Sequence, residues 1–227
     1  MISRLLLSGT LALACLASNG CAIGALVGAV GSEIERNKKI EVLAEYNDFE
    51  GKTVAVLVDI DPMTMYEHPS LVSNITQGVV TSFRRNVPTA RVMPAELSLQ
   101  WKYSTPGWNA MAFGDMAESI RKNNVRAYGP DGDVRIDRII HIEIVEYRLN
   151  PPGNRYEWDG VCAANVRVIE NDEGAYDPDF AALDVSVVAK FPDQAGVGWE
   201  SASADRIALG LLVKFVEETV WLFYDHE

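Results

Sequence analysis

The run Thr53-Val54-Ala55-Val56-Leu57-Val58 carries no polar side chain after its first residue and is dominated by β-branched ones. A strand with one wet face alternates polar and apolar residues, so an unbroken apolar run of this length reads as a strand buried on both faces. Such a strand needs helices to cover the sheet that holds it, which makes the chain an α/β protein. The composition supplies the material: 227 residues, 48% of them apolar, with 17 glycines and 10 prolines to punctuate the elements. That is enough for one domain with a full core and tight for two.

The rest of the chain divides around that strand. Pro69 suits the first turn of a helix whose apolar positions are Leu71, Val72, Ile75, Val79, Val80 and Phe83, with Pro88 beyond its end. Ala90 to Met93 reads as a short second strand closed by Pro94, and 95–112 as a loop bearing Trp101, Tyr103, Pro106, Gly107 and Trp108. Phe113, Met116, Ala117 and Ile120 mark a second helix, which Asn123 and Asn124 end. The turn from Gly129 to Asp133 leads into a strand over 138–147, and strands over 161–169 and 183–191 follow, separated by turn-forming residues. Ser203 is a good N-cap for a last helix over 204–224, about 31 Å long at 1.5 Å per residue. The order β-α-β-α-β-β-β-α predicts a single mixed β-sheet with helices packed on it, in one domain over 51–227.

Ahead of the domain, Arg4 is followed by an uncharged run from Leu5 to Ser32, the layout of an export signal. The segment Leu16-Ala17-Ser18-Asn19-Gly20-Cys21 resembles a bacterial lipoprotein signal, with Gly20 before the cysteine that is lipidated and becomes the first mature residue. On that reading 1–20 is signal, Cys21 carries palmitate and its companion acyl chains, and 21–50 is a spacer. Ser18 stands where the motif prefers leucine, and Cys15 offers a rival but shorter signal. A second reading keeps 5–32 as a transmembrane anchor, since about 20 apolar residues suffice to span a bilayer and Gly20, Gly24 and Gly28 share the small-residue spacing of packed membrane helices. Both readings place the domain outside the cytoplasm. Ala22, a residue other than aspartate after the cysteine, resembles the enterobacterial signal for the outer membrane.

The chemistry is sparse. A net charge of −12 and the lack of a basic patch speak against nucleic acid as a partner. With His68, His141 and His226 as the only histidines and no Gly-x-Ser-x-Gly, no serine-hydrolase set can be assembled. Val58-Asp59-Ile60-Asp61 resembles the Asp-x-Asp motif of haloacid-dehalogenase-type phosphatases, which implies Asp59 as nucleophile, Asp61 as general acid and a magnesium ion. Pro62 and the want of a later acidic pair depart from that family. Asp59, Asp61, Glu67 and His68 are also the candidate ligands for a divalent ion. His141 alternates out of phase with Ile140 and Ile142 and reads as a solvated or hydrogen-bonded sheet residue rather than a ligand. Asp131, Asp133 and Asp137 mimic the start of a calcium loop but Ile142 stands where its last glutamate belongs, and the acidic stretch from Glu170 to Asp179 reads as a solvated turn. Cys162, within a strand, reads as a small buried apolar residue. Trp101, Tyr103 and Trp108 form either an anchor for a protein partner or a loop packed on the sheet.

An extracytoplasmic chain with the opening strand Gly-Lys-Thr-Val-Ala-Val-Leu, a strand Asp-Arg-Ile-Ile-His-Ile-Glu-Ile, then a meander and a long helix, resembles the CsgG-like envelope lipoproteins, a group with the amino-terminal domain of TolB and the penicillin-binding-protein activator LpoB. The resemblance spans 51–224 in element order and rests on no sharp motif. It implies a non-enzymatic module, without cofactor, that assembles with itself or with other envelope proteins. A secretion pore is not expected, because its strands need about 9 to 11 alternating residues with a lipid-facing side and no spare pair of them remains.

Overall fold

Strand β1 (Thr53–Ile60) takes up the apolar run, and every one of its side chains except Asp59 is buried. The computed structural model describes residues 41–124, 135–171, 181–194 and 196–227, and its folded unit covers 43–226. β1 is flanked on both sides by parallel strands, β2 (Arg91–Val92) and β3 (Arg138–Arg148). A two-stranded ribbon of β4 (Glu157–Trp158) and β7 (Val197–Gly198) stands apart from the main sheet. β5 (Gly160–Glu170) and β6 (Leu183–Phe191) run antiparallel beyond β3, giving a five-stranded sheet of order β2-β1-β3-β5-β6. The expected mixed sheet with helices packed on it is therefore the fold, and its five strands fall where the sequence places them to within a few residues.

The connections decide which helix covers which face. From β1 the chain steps one way to β2, then back past β1 to β3, and two right-handed crossovers in opposite directions put their helices on opposite faces. On one face lie α2 (Leu71–Asn86) and the last helix, α5 (Ala204–Trp221). Their Ile75, Val79, Phe83, Leu211 and Phe215 pack on Val54, Val56 and Val58 of β1 and on the matching residues of β3, β5 and β6. On the other face α3 (Ala95–Ser104), a 3-10 turn at Trp108–Ala110 and α4 (Phe113–Asn124) bring Trp101, Trp108, Met116 and Ile120 onto Ala55, Leu57, Ile139 and Ile169. Between β1 and α2 lies a short helix absent from the sequence reading, α1 (Pro62–Glu67), with Asp61 as N-cap, proline in its first turn and no buried residue.

Three expectations need correction. Residues 95–104 are a helix, not part of a loop. Leu97, Leu99, Trp101 and Tyr103 recur at every second residue, which hides the helical period, while packing puts Ala95, Ser98 and Trp101 on one buried stripe. The last helix stops at Trp221, about 27 Å long. The segment before Gly51 belongs to the folded unit: Phe49 is fully buried against Phe83 and Phe223. Asp48 pairs at 2.5 Å with Arg138, itself wholly buried. Tyr46 accepts from the Arg138 Nε and donates to Glu170, and burial with that bond pushes its phenol well above its ordinary value.

The α5 seat on the sheet is close. A Cβ on Gly210 would lie 2.4 Å from the Phe191 ring, and one on Gly78 of α2 would lie 2.7 Å from Val216 of α5. Phe191 lies against the helix, and Val216 is buried and β-branched, with little freedom to turn. Gly210→Ala and Gly78→Ala are therefore each expected to destabilise the domain by about 1–3 kcal/mol through overpacking, read from urea denaturation followed by circular dichroism.

Candidate functional site

The carboxyl end of β1 is where an open sheet of this kind usually presents its chemistry, because the crossovers diverge there. Asp59 and Asp61 both sit at that end, but their roles separate. Asp61 Oδ1 accepts from the backbone N–H of Met63 at 2.9 Å and of Thr64 at 3.0 Å, so its carboxylate is committed to starting α1 and its pKa is lowered by the Thr64 bonds. Asp59 is half-buried beneath the α3 layer, with Oδ1 held by the N–H of Ile60 at 3.0 Å and Oδ2 facing Asn109 at 3.5 Å. Asp59 therefore has free capacity, and Asp61 has little for acid catalysis.

A lysine that the sequence reading passed over completes this corner. Lys102 of α3 donates to the Val58 carbonyl at 2.5 Å and lies 5.3 Å from the centre of the Trp108 ring. Burial lowers its pKa while Asp59 pulls it back up. Its only sequence signal is its place one residue after a buried tryptophan, so that its stem follows the ring into the layer.

His141, on the same face of the neighbouring strand, is buried between Trp108 and Phe113, with ring centres 6.0 and 5.6 Å away. It does face away from Ile140 and Ile142, as expected, but it is not solvated, and Nδ1 has no hydrogen-bond partner among the described residues. Beyond it the face opens: Arg167 pairs with Glu143 at 3.4 Å and Asp184 at 3.3 Å, and Ser186 donates to Asn165 at 3.0 Å. The helices on this side cover β3 and reach Ile169 near the end of β5, and polar side chains take over at Asn165 and Arg167 of β5 and on β6.

The other candidates scatter. His68 lies apart from the aspartates, edge-on to Tyr147 at 4.7 Å, in a cavity of about 420 Å³ lined also by Glu67, Leu71, Asp205 and Leu209. Tyr147 reaches that side through a β-bulge between Ile144 and Glu146 that reverses the alternation of β3, and burial pushes its phenol up to about 12. No group of three or more metal-ligating side chains gathers among the described residues. Trp101 and Trp108 are core residues, packed edge to face at 5.9 Å, and Trp101 donates to Ser119 at 3.0 Å. Of the three expected anchors only Tyr103, 59% exposed, offers its ring to a partner. Cys162 is buried and burial raises its thiol pKa. Asp137 accepts from the Thr53 N–H at 2.8 Å and Glu170 holds Tyr46, while Cys21, Asp131, Asp133 and 172–180 lie outside the described residues. No helix among the described residues is long and apolar enough to cross a membrane.

No protein-family model matches the chain, and no curated protein matches its sequence. Among solved structures it is similar to lipoprotein GNA1162 from Neisseria meningitidis, at 12% identity and a TM-score of 0.37 over 70% of this chain and 91% of that one. A PelC dodecamer from Paraburkholderia phytofirmans matches at 12% identity and 0.38, over 79% and 96%. The hypothetical protein CT253 from Chlamydia trachomatis matches at 11% and 0.40, over 74% and 96%.

Burial holds the His141 imidazole below the ordinary value of 6.5, aided by Arg167 and Lys102 and opposed by Asp59 and Glu143. The unfolded chain then takes up the proton first, so this group lowers stability as pH falls from about 6.5 to its folded value, and not above. The expected result is a proton titration of His141 by NMR with a midpoint below 6.5, and a flatter stability curve between pH 7 and 5 for His141→Phe. A midpoint above 6.5 would mean a charged imidazole and a different environment.

Proposed function

We propose that the chain is a bacterial cell-envelope lipoprotein, held through lipid on Cys21 with its domain facing the periplasm, and that this domain binds other envelope proteins without catalysing a reaction. Ala22 favours the outer membrane. The anchoring half rests on the sequence, where a signal ends at Gly20-Cys21.

The observation that carries the binding half is the distribution of large exposed side chains. Met63 and Tyr66 of α1, Tyr156 beside β4 and Trp199 after β7 are 52 to 84% exposed. All four follow the carboxyl ends of β1, β3 and β6, so they share one end of the sheet, the end opposite to the one where Asp48 and Phe49 lead into β1. Exposed aromatic and methionine side chains gathered at one end are what a protein-binding surface requires. The groups best suited to catalysis are engaged meanwhile: Asp61 in a cap, His141 between aromatic rings, Lys102 on a backbone carbonyl. This supports a binding module over the phosphatase implied by Asp59 and Asp61.

Cys21→Ser is expected to abolish palmitate incorporation and release the protein from membranes, with the thermal melt of the domain unchanged. Retention of the unlabelled variant in the membrane would favour the anchor over 5–32 instead. If the wild type hydrolyses a generic phosphate ester and Asp59→Asn stops it, the binding-module reading fails.

A further inference from the structure

The two edges of the sheet differ. One is β2, only two residues long, and the other is β6, nine residues that pair with β5 on one side and with no other strand among the described residues on the other. A long open edge presents a row of unsatisfied N–H and C=O groups and is a template for a further strand. Proteins commonly blunt such an edge with proline, a bulge or charged side chains, lysine above all. β6 has neither proline nor bulge, its register against β5 runs without a shift from Leu183 to Phe191, and its two charges, Asp184 and Lys190, are of opposite sign.

The side chains of β6 are complementary to themselves. In Leu183-Asp184-Val185-Ser186-Val187-Val188-Ala189-Lys190-Phe191 an antiparallel copy centred on Val187 sets Asp184 opposite Lys190 and Ser186 opposite Val188. These four are the exposed, open-face positions. On the face toward α5 the same register sets Leu183 opposite Phe191 and Val185 opposite Ala189. Leu183, Val185 and Phe191 are only partly buried at the edge although they pack on the core. Opposite charges directly across a strand pair are favourable, and here symmetry makes each pair occur twice. Arg167 takes Oδ2 of Asp184 and leaves Oδ1, while Lys190 has no carboxylate partner among the described residues. A slip of one residue would set exposed positions against half-buried ones, and a slip of two would lose both charge pairs.

We propose that β6 pairs with β6 of a second copy of this chain across a two-fold axis at Val187, joining two five-stranded sheets into one. The contact is isologous and closes on itself, so growth stops at a dimer rather than a fibre. It also needs a matched register, because two copies of net charge −12 repel each other at long range. The pairing depends on the edge alone and stands whether or not the domain binds other envelope proteins.

The test is the mass of the full chain in mild detergent, by sedimentation velocity across micromolar concentrations, with the melt of each variant checked by circular dichroism. The wild type is expected as a dimer. Lys190→Glu and Asp184→Lys each replace two attractive pairs with two repulsive ones and should weaken it by about tenfold or more. The double variant Asp184→Lys, Lys190→Glu restores the pairs with their signs exchanged and should recover the dimer. Because Asp184→Lys also disturbs Arg167, a second variant stands beside it: Ser186→Cys with Val188→Cys in one chain should give an oxidised dimer. A monomeric wild type overturns the proposal. So does an assembly whose mass ignores both single charge reversals, a charge-exchanged double variant that folds but stays dissociated, or a Ser186→Cys, Val188→Cys chain that folds but gives no disulfide-linked dimer.

Discussion

Everything in this fold follows from burying β1 on both faces. Its alternate side chains point into two different cores, Val54, Val56 and Val58 into one and Ala55 and Leu57 into the other. A strand of that kind excludes solvent from both sides of the sheet, so two helix layers must exist and the strands next to it must be parallel and reached by crossovers. The first half of β3 shares the same burial. Farther out the demand lapses: the face of β5 away from α5 keeps Val161, Ala163 and Ile169 buried but turns polar at Asn165 and Arg167, and on β6 that face is exposed.

That change from two covered faces to one generates the surfaces of interest. Where the α3 and α4 layer ends, polar groups are caught at its rim, and burial there lowers the pKa of both Lys102 and His141. Where the sheet ends, β6 is left with a backbone edge and an alternating sequence. At the carboxyl end of the strands the loops carry apolar side chains that no layer covers, Tyr66 and Trp199 among them. The opposite end is closed instead, by the buried Arg138 gathering Tyr46 and Asp48 from the entering chain. A buried guanidinium with partly exposed acids is a costly arrangement in desolvation, and its evident structural effect is to fasten 46–49 to the sheet.

Much of the fold was legible because the pattern of each strand reports its surroundings. The continuous run of β1 and the polar-apolar alternation of β6 are the two extremes, and α2 and α5 show the helical period openly. α3 was not legible, since its apolar residues fall at every second position and only the sheet beneath shows which of them pack inward. The β-bulge in β3 was equally hidden: nothing at Val145 announces that Tyr147 will turn toward the helices. The candidate site was legible in part. Asp59 and Asp61 are visible as acids leaving a strand, but which one caps a helix depends on α1 forming after Pro62.

The sequence by itself determined the class of fold and the strands that must be central, because these depend on local periodicity and composition. Only the tertiary structure decided which tryptophans are core, that the histidine of β3 is dry, that Lys102 meets the end of β1, and that β6 is an edge. Those outcomes depend on which residues far apart in the chain come to share a face, and burial of a side chain is set by its neighbours in space rather than by its neighbours in sequence.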